Sequence, residues 1–289
     1  MNKILLHTFA TAGYQEWLRL LLTSAWYHSG DSLDVWADTM NLASAEISSL
    51  RSLHPNARFR NEDVSDRRIA DMLSVTLSEV QNWKRQIEDG RVSGRNYLYK
   101  VLISVSKRYR SLEKVITEAR DSGYDLLIHA DSDLYLRTDI TRSALVDTAF
   151  GYDICMYVND GIGALLHTRK VLGAFLVFNL RADLDRFVRN WMLEIDRTPL
   201  RHRWKGFGQS VLWYAMNLTP KVDVCNLYSI SDEFSYSRRF DPEADVWLGS
   251  NSKLKLMKLR RKLGVNALLG RADRSRQKCW KDFEKRATA

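Results

Sequence analysis

Four prolines and three cysteines in 289 residues leave this chain few covalent or conformational constraints. With so little proline, no stiff linker marks a boundary between domains. The cysteines, Cys155, Cys225 and Cys279, are odd in number, widely scattered and without metal-ligand spacing. That pattern argues against a disulfide-stapled secreted scaffold or a thiolate zinc site, and for a reducing, cytoplasmic home with buried thiols. Long apolar runs are missing too. No stretch approaches the roughly 18–20 residues that a membrane span needs. The apolar segment after Lys3 is too short to be the core of a secretory signal. Internal repeats and low-complexity tracts are also absent.

What the chain does have is apolar residues, 45% of the total, enough for a substantial core in one large domain or a domain with appendages. Its net charge of +9 is unevenly placed. From Lys253 to the end, 13 Lys/Arg stand against 3 Asp/Glu, whereas the preceding residues carry 31 against 32. The expected organisation is a near-neutral body over 1–252 and a basic amphipathic helical tail over 253–289. In the tail Leu254, Leu256, Leu259 and Leu263 alternate with Lys255, Lys258, Arg260, Arg261 and Lys262. Such segments can lie on anionic lipid, each basic residue contributing about 1 kcal/mol, which would place the protein peripherally on the inner membrane face. Packing of the leucines against the body is the alternative.

The body reads as alternating strand and helix. Residues 4–9, 32–38, 57–60, 152–157 and 172–179 have strand character, and 14–27 and 40–50 have helical periodicity. Near-continuous apolar strands separated by helices predict an α/β fold with a mostly parallel, Rossmann-like sheet covered on both faces. Ligands of such sheets bind beyond the carboxyl ends of the strands, and Thr8, Phe9, Ala10 and Asp38 fall at that edge.

The most informative segment is GYDLLIHADSDLYLRTD, residues 123–139. A buried strand ends in Asp131-Ser132-Asp133, and a short apolar stretch follows at once. Two carboxylates one residue apart cannot be buried bare, but they can hold Mn²⁺ or Mg²⁺ that also binds a substrate phosphate. The spacing alone means little, because 24 aspartates predict about two such triplets by chance. The second, Asp183-Leu184-Asp185, opens an amphipathic run where acids are expected from the helix dipole, so it needs no ligand. For the first to hold a cation, the acids must face a cleft and neither can be neutralised by an arginine.

Residues 61–95 interrupt the alternation as a predicted helical insertion. Within it, 66–85 resembles a helix-turn-helix, with Ala70, Val80 and Trp83 at the contact and core positions. Between Asn61 and Gly90, however, four basic residues face seven acids, and a nucleic-acid surface must neutralise phosphates. DNA binding is therefore the alternative reading, and nucleic acid is not an expected partner.

Taken in order, these segments resemble nucleotide-sugar glycosyltransferases of the GT-A fold over residues 3–60 and 95–255. KILLHTFA resembles the strand that cradles the nucleotide base, and GYDLLIHADSDLYLRTDI the metal-binding Asp-x-Asp turn. LGAFLVFN resembles a later strand ending in Asn. WKGFGQSVLWYAMN resembles a helix that usually begins Asp-Gln, and VWLGSNSK resembles a C-terminal Gly/Lys loop over the diphosphate. The resemblance implies a metal-dependent glycosyltransferase of hexosyltransferase type, active in polysaccharide biosynthesis. It would take a nucleotide-diphosphate sugar, in the first instance a UDP-sugar, and a glycan or glycolipid acceptor.

On this resemblance Asp131 and Asp133 are the metal ligands. Thr8, Phe9, Ala10, Ser132 and Lys253 contact the donor; from their positions alone, Asp38 at a strand end is a candidate for the base or ribose, and Arg95 and Lys100 on the approach to the Asp131 strand for phosphate or ribose. Gln209 faces the anomeric carbon if configuration is retained, and Asp232, with Glu233 beside it, is the candidate base if it is inverted. Trp204 would offer an acceptor contact, while Trp213 is expected in the core. Two departures stand out. The C-terminal loop has no histidine as a third ligand, and Gly208 stands where an acid usually precedes the glutamine. Both also fit a GT-A-like binding protein without catalysis.

Overall fold

The computed structural model describes residues 2–88, 107–159, 171–199, 207–237 and 244–248. Ten strands are numbered in chain order: β1 Ile4–Thr11, β2 Leu33–Met40, β3 Ala57–Glu62, β4 Leu126–Ala130, β5 Leu134–Leu136, β6 Ile154–Val158, β7 Val171–Asn179, β8 Val224–Asn226, β9 Tyr236–Ser237 and β10 Val246–Leu248. Seven form one sheet in the order β3-β2-β1-β4-β7-β6-β8. The neighbours β3, β2, β1 and β4 are mutually parallel, β7 runs antiparallel to both β4 and β6, and β8 is parallel to β6. The sheet is thus mostly parallel, as expected, with β7 reversed.

Both faces are covered, which is why the strands read as continuous apolar runs. Leu6, Val35 and Ile128 join one core with Leu18, Leu21 and Leu22 of helix Gln15–Ser29. Leu5, Trp36 and Leu127, one residue out of phase, join a second core with Leu112 and Val115 of helix Arg108–Asp121. Helices Asp185–Arg197 and Phe207–Leu218 add Trp191 and Leu212 to that side. Each fully buried leucine contributes on the order of 1.5–3 kcal/mol.

Two features escaped the sequence pattern. The reversal of β7 sends Asn179 to the far edge of the sheet, opposite Leu126, where it donates to the carbonyl of Tyr152. Sequence position suggested a site strand ending in Asn, but it is the start of β7, not its end, that reaches the carboxyl edge of β4. A second, three-stranded sheet, β5-β10-β9, also stands beyond that edge, with β10 antiparallel to β5.

The insertion is a helical pair, Asp66–Leu73 and Leu77–Glu88. Ser65 caps the first helix by accepting from the Arg68 N–H, and Ser74 ends it in the left-handed region at φ 54°. Ile69, Ala70 and Val80 pack with Met40, Val64 and Phe9. These packing demands account for the helix-turn-helix spacing without nucleic acid, and Lys84 is already paired with Asp66 at 2.7 Å. Cys155 and Cys225 are buried free thiols, opposite each other on β6 and β8. Among the described residues no helix is long and apolar enough to cross a membrane. The basic tail lies outside the described residues.

Candidate active site

A row of polar groups crosses the sheet beneath helix Arg108–Asp121. Successive residues of a strand face opposite sides, and His7, Asp38 and His129 share the side of Leu5, Trp36 and Leu127. Strand register then lines them up, His7 opposite His129 and Asp38 opposite Arg60. Arg60 grips Asp38 with two hydrogen bonds, Nε to Oδ1 at 2.5 Å and Nη2 to Oδ2 at 2.6 Å. His7 Nε2 lies 3.2 Å from Asp38 Oδ2, and Ser111 Oγ donates to the same oxygen. His7 Nδ1 is 3.0 Å from His129 Nδ1, and Arg108 Nε donates to His129 Nε2 at 3.2 Å. Arg108 also donates through Nη2 to the carbonyl of Gly173 and pairs through Nη1 with Asp131 Oδ1 at 2.7 Å.

The row ends at the acid pair. The Asp131 N–H donates to the carbonyl of Ala174, extending the β4–β7 ladder, and the Leu134 N–H returns to the Asp131 carbonyl, closing a turn. That turn carries the chain from the main sheet to β5 and sets both acids at the carboxyl edge of β4. Asp133 is only 9% exposed. Among the described residues no basic side chain lies within ion-pair distance of it. Burial, and then the neighbouring charge of Asp131, push its carboxyl well above the usual carboxylate range. Burial likewise raises Asp131, against the pull of Arg108. The Tyr14 hydroxyl is pushed up to about 12 by burial and by the charges of Asp133 and Asp131, so it remains a donor beside the pair.

The requirement that neither acid be neutralised therefore fails at Asp131, which Arg108 pairs, and holds only for Asp133. The cause is tertiary: Arg108, in the first turn of helix Arg108–Asp121, reaches the end of β4, where its Nε meets His129 and its Nη1 meets Asp131. The pair leaves one carboxyl without a counter-charge among the described residues and draws both carboxyls from one tight turn, a donor set that fits a hard cation. Among the described residues no third His, Cys, Asp or Glu joins them. Further ligands would have to come from water or a bound phosphate.

The other expected residues divide into three groups. Gln209, half-buried on helix Phe207–Leu218, comes close to Arg108 over Gly173. Its Cγ, Arg108 Nη2 and the Tyr109 hydroxyl all fall within 3.6 Å of where a Cβ on Gly173 would be. Ser132 is buried in the acid turn. Along β1, Thr8 and Ala10 are buried and Phe9 packs toward the helical pair. Among the described residues Thr8 Oγ1 has no partner.

Asp38 differs from expectation. β2 continues to Met40, so Asp38 lies inside the sheet, not at its lip, and its oxygens accept from Arg60, His7 and Ser111. Those donors hold its carboxyl far below the usual range despite burial, and no free oxygen is offered to a nucleotide. Asp232 is exposed on the turn before Phe234, and Glu233 is exposed beside it. Trp213 packs partly buried against the second core. Arg95, Lys100, Trp204 and Lys253 lie outside the described residues.

The absence of an acid before Gln209 has a packing cause. A Cβ on Gly208 would stand 2.1 Å from Tyr109 Cε2, so the tyrosine ring fills the volume of any side chain there. Arg108, Tyr14 and His7 were not singled out from sequence. Arg108 precedes Asp131 by a whole helix, and no spacing rule links them. Tyr14 does follow the end of β1 closely, which was the one available signal.

No family model matches the chain, and no curated protein matches it in sequence. Among solved structures it is similar to the galactosyltransferase LgtC in complex with donor and acceptor sugar analogs, at 13% identity over 86% of this chain and 87% of that one, TM-score 0.45. It is also similar to mouse xyloside xylosyltransferase 1, at 13% identity over 87% and 98%, TM-score 0.45. For the glycosyltransferase GlyE of Streptococcus pneumoniae the figures are 11% identity over 98% and 60%, TM-score 0.46. Overlaps of this size do not identify a family, and the chemistry of the site rests on its own residues.

Proposed function

We propose that the chain is a metal-dependent glycosyltransferase that moves a sugar from a nucleotide-diphosphate donor to a glycan or glycolipid. One observation carries the reading: Asp133 is a buried carboxyl with no counter-charge among the described residues, beside a second carboxyl, at the carboxyl edge of β4 in a mostly parallel sheet. Such a group is stable as an anion only when a cation comes to it. Mn²⁺ or Mg²⁺ bound there would supply a positive charge against the diphosphate that departs as the glycosidic bond breaks. Asp133 is the principal ligand, and Asp131 contributes from its position beside Arg108.

Gln209 holds the sugar over Gly173, and the Tyr14 hydroxyl donates toward bound anionic oxygens. Ser132 and the edge of β1 at Thr8–Ala10 line the donor side. Asp38 keeps Arg60 and His7 in place and does not touch the nucleotide. The basic tail, from its sequence, brings the body to an anionic membrane face where a lipid-linked acceptor would lie. Removing residues 250–289 should then abolish sedimentation with phosphatidylserine vesicles, and unchanged sedimentation would remove the membrane part of the proposal.

The central reading is tested by a thermal-shift panel of nucleoside diphosphates with and without Mn²⁺. A shift that needs both ligand and metal and vanishes in Asp133→Asn supports it; shifts indifferent to the metal or to that substitution would sink it. One observation favours a second reading, a binding protein without transfer: Asp131 already has its counter-charge in Arg108. Metal-dependent nucleotide binding with no turnover or hydrolysis of any bound nucleotide sugar would select it.

A further inference from the structure

The hydrogen bonds of the buried row can have only one direction. Arginine has no acceptor, so the Arg108 Nε–H must donate to His129 Nε2. That nitrogen therefore carries no proton, and the proton of the neutral His129 ring sits on Nδ1. His129 Nδ1–H in turn donates to His7 Nδ1, 3.0 Å away, which must be bare. His7 then holds its proton on Nε2 and donates it to Asp38 Oδ2, a carboxylate that can only accept. Arg60 closes the far end by gripping both oxygens of Asp38. Each link fixes the next, and neither ring can be charged without breaking one. Burial acts in the same sense, lowering the pKa of both histidines.

The consequence falls on Arg108. Its Nε is held by His129 and its Nη2 by the Gly173 carbonyl, one partner on β4 and one on β7. Two neutral, rigid acceptors from adjacent strands set the plane of the guanidinium. Nη1 is left pointing at Asp131. A surface arginine would gain little from such a pair, because holding a flexible side chain offsets the attraction. Here the side chain is 14% exposed and both Nε and Nη2 already have acceptors. The positive charge is part of the frame.

We infer that His129 and His7, backed by Asp38, are positioning residues that act through Arg108. They lock its guanidinium against Asp131, so that the two acids take different roles: Asp131 is held as a neutralised partner and Asp133 is left to receive the cation. The inference deepens the proposed function and rests, for its second half, on Asp133 being a cation ligand. It also accounts for the polar row itself. Burying two imidazoles across the middle of a sheet is unfavourable unless every donor and acceptor is used, and here all four ring nitrogens are.

Three measurements on the full-length protein test it. Heteronuclear NMR of the imidazole nitrogens, without ligand, should show His129 protonated at Nδ1 only and His7 at Nε2 only. The opposite tautomer at either ring overturns the chain, whatever the protein binds. Exchange of the Arg108 Nε–H with solvent should be slow in the wild type, fast in His129→Leu and slow again in His129→Gln, whose amide oxygen can accept in place of Nε2. Exchange that His129→Leu leaves unchanged overturns the positioning role, and a merely space-filling ring would not be rescued by glutamine.

Mn²⁺ binding without nucleotide, followed by the EPR signal of the free ion, should tighten about tenfold or more in Arg108→Met and Arg108→Gln, because a resident positive charge is removed. Equal or weaker binding in both overturns the division of roles. Should Mn²⁺ bind neither the wild type nor these variants, even with a nucleoside diphosphate present, the cation reading itself fails and takes the division of roles with it. The tautomers and the exchange rates still decide the positioning claim.

Discussion

Arg108 Nη1 stands 2.7 Å from Asp131 Oδ1, while Asp133, two residues on, is more deeply buried and has no such partner among the described residues. The two acids of one turn are therefore not equivalent, and their substitutions should separate. Asp133→Asn is expected to abolish the metal-dependent thermal shift with nucleoside diphosphate and leave the fold intact. Asp131→Asn should weaken that shift and also lower stability by about 2 kcal/mol, because it leaves Arg108 largely buried without its counter-charge. Thermal shift and urea denaturation on both variants check this, and identical behaviour would count against it.

Gly208 is forced by Tyr109. With a Cβ 2.1 Å from the ring edge, Gly208→Ala must push aside a ring that also packs on Trp191 at a 4.9 Å centroid distance. Overpacking of this kind costs about 1–3 kcal/mol. The denaturation midpoint of Gly208→Ala should fall accordingly, and Tyr109→Ala should lessen the added cost of the alanine in a double-mutant cycle.

His54 ties stability to pH. Its ring is fully buried with neither nitrogen bonded to another side chain among the described residues, and burial lowers its pKa from 6.5 to about 4. Between those values the unfolded chain binds a proton that the native state refuses, so stability falls as pH drops from 6.5 towards 4. The loss amounts to about 3 kcal/mol at most. Urea melts of His54→Leu across that window should show correspondingly less acid sensitivity than the wild type.

Ser74 closes the first helix of the inserted pair at φ 54° and ψ 48°, a conformation that glycine adopts without strain. Ser74→Gly is expected to be neutral or to stabilise the protein by up to about 1 kcal/mol, whereas Ser74→Val should destabilise it by more than that. Equilibrium denaturation of the two variants distinguishes the cases.

Several elements were legible because their causes are local. The apolar runs of β1, β4 and β7 announced strands buried on both faces. The two Asp-x-Asp triplets were separable by context, since Asp183 accepts from the Asp185 N–H at the start of a helix while Asp131 and Asp133 bracket a strand-to-strand turn. The helical pair at 66–88 was readable from its small and apolar positions. The direction of β7 was not, because an apolar run has the same composition whichever way it crosses a sheet. β5 was legible as the short apolar stretch after the acids, whereas β9 and β10 are too short to signal themselves.

The sequence by itself determined the alternation of strand and helix, the placement of two acids just past a buried strand, and the concentration of basic charge after Lys253. These follow from periodicity, local turn chemistry and a count of charges, each settled within a few residues. The tertiary structure alone decided that Arg108 would neutralise Asp131, that Asp38 would be spent on Arg60 and His7, and that Tyr109 would leave no room for a side chain at position 208. Those outcomes depend on which strands become neighbours and on where a helix crosses them. No window of sequence contains both members of such a pair.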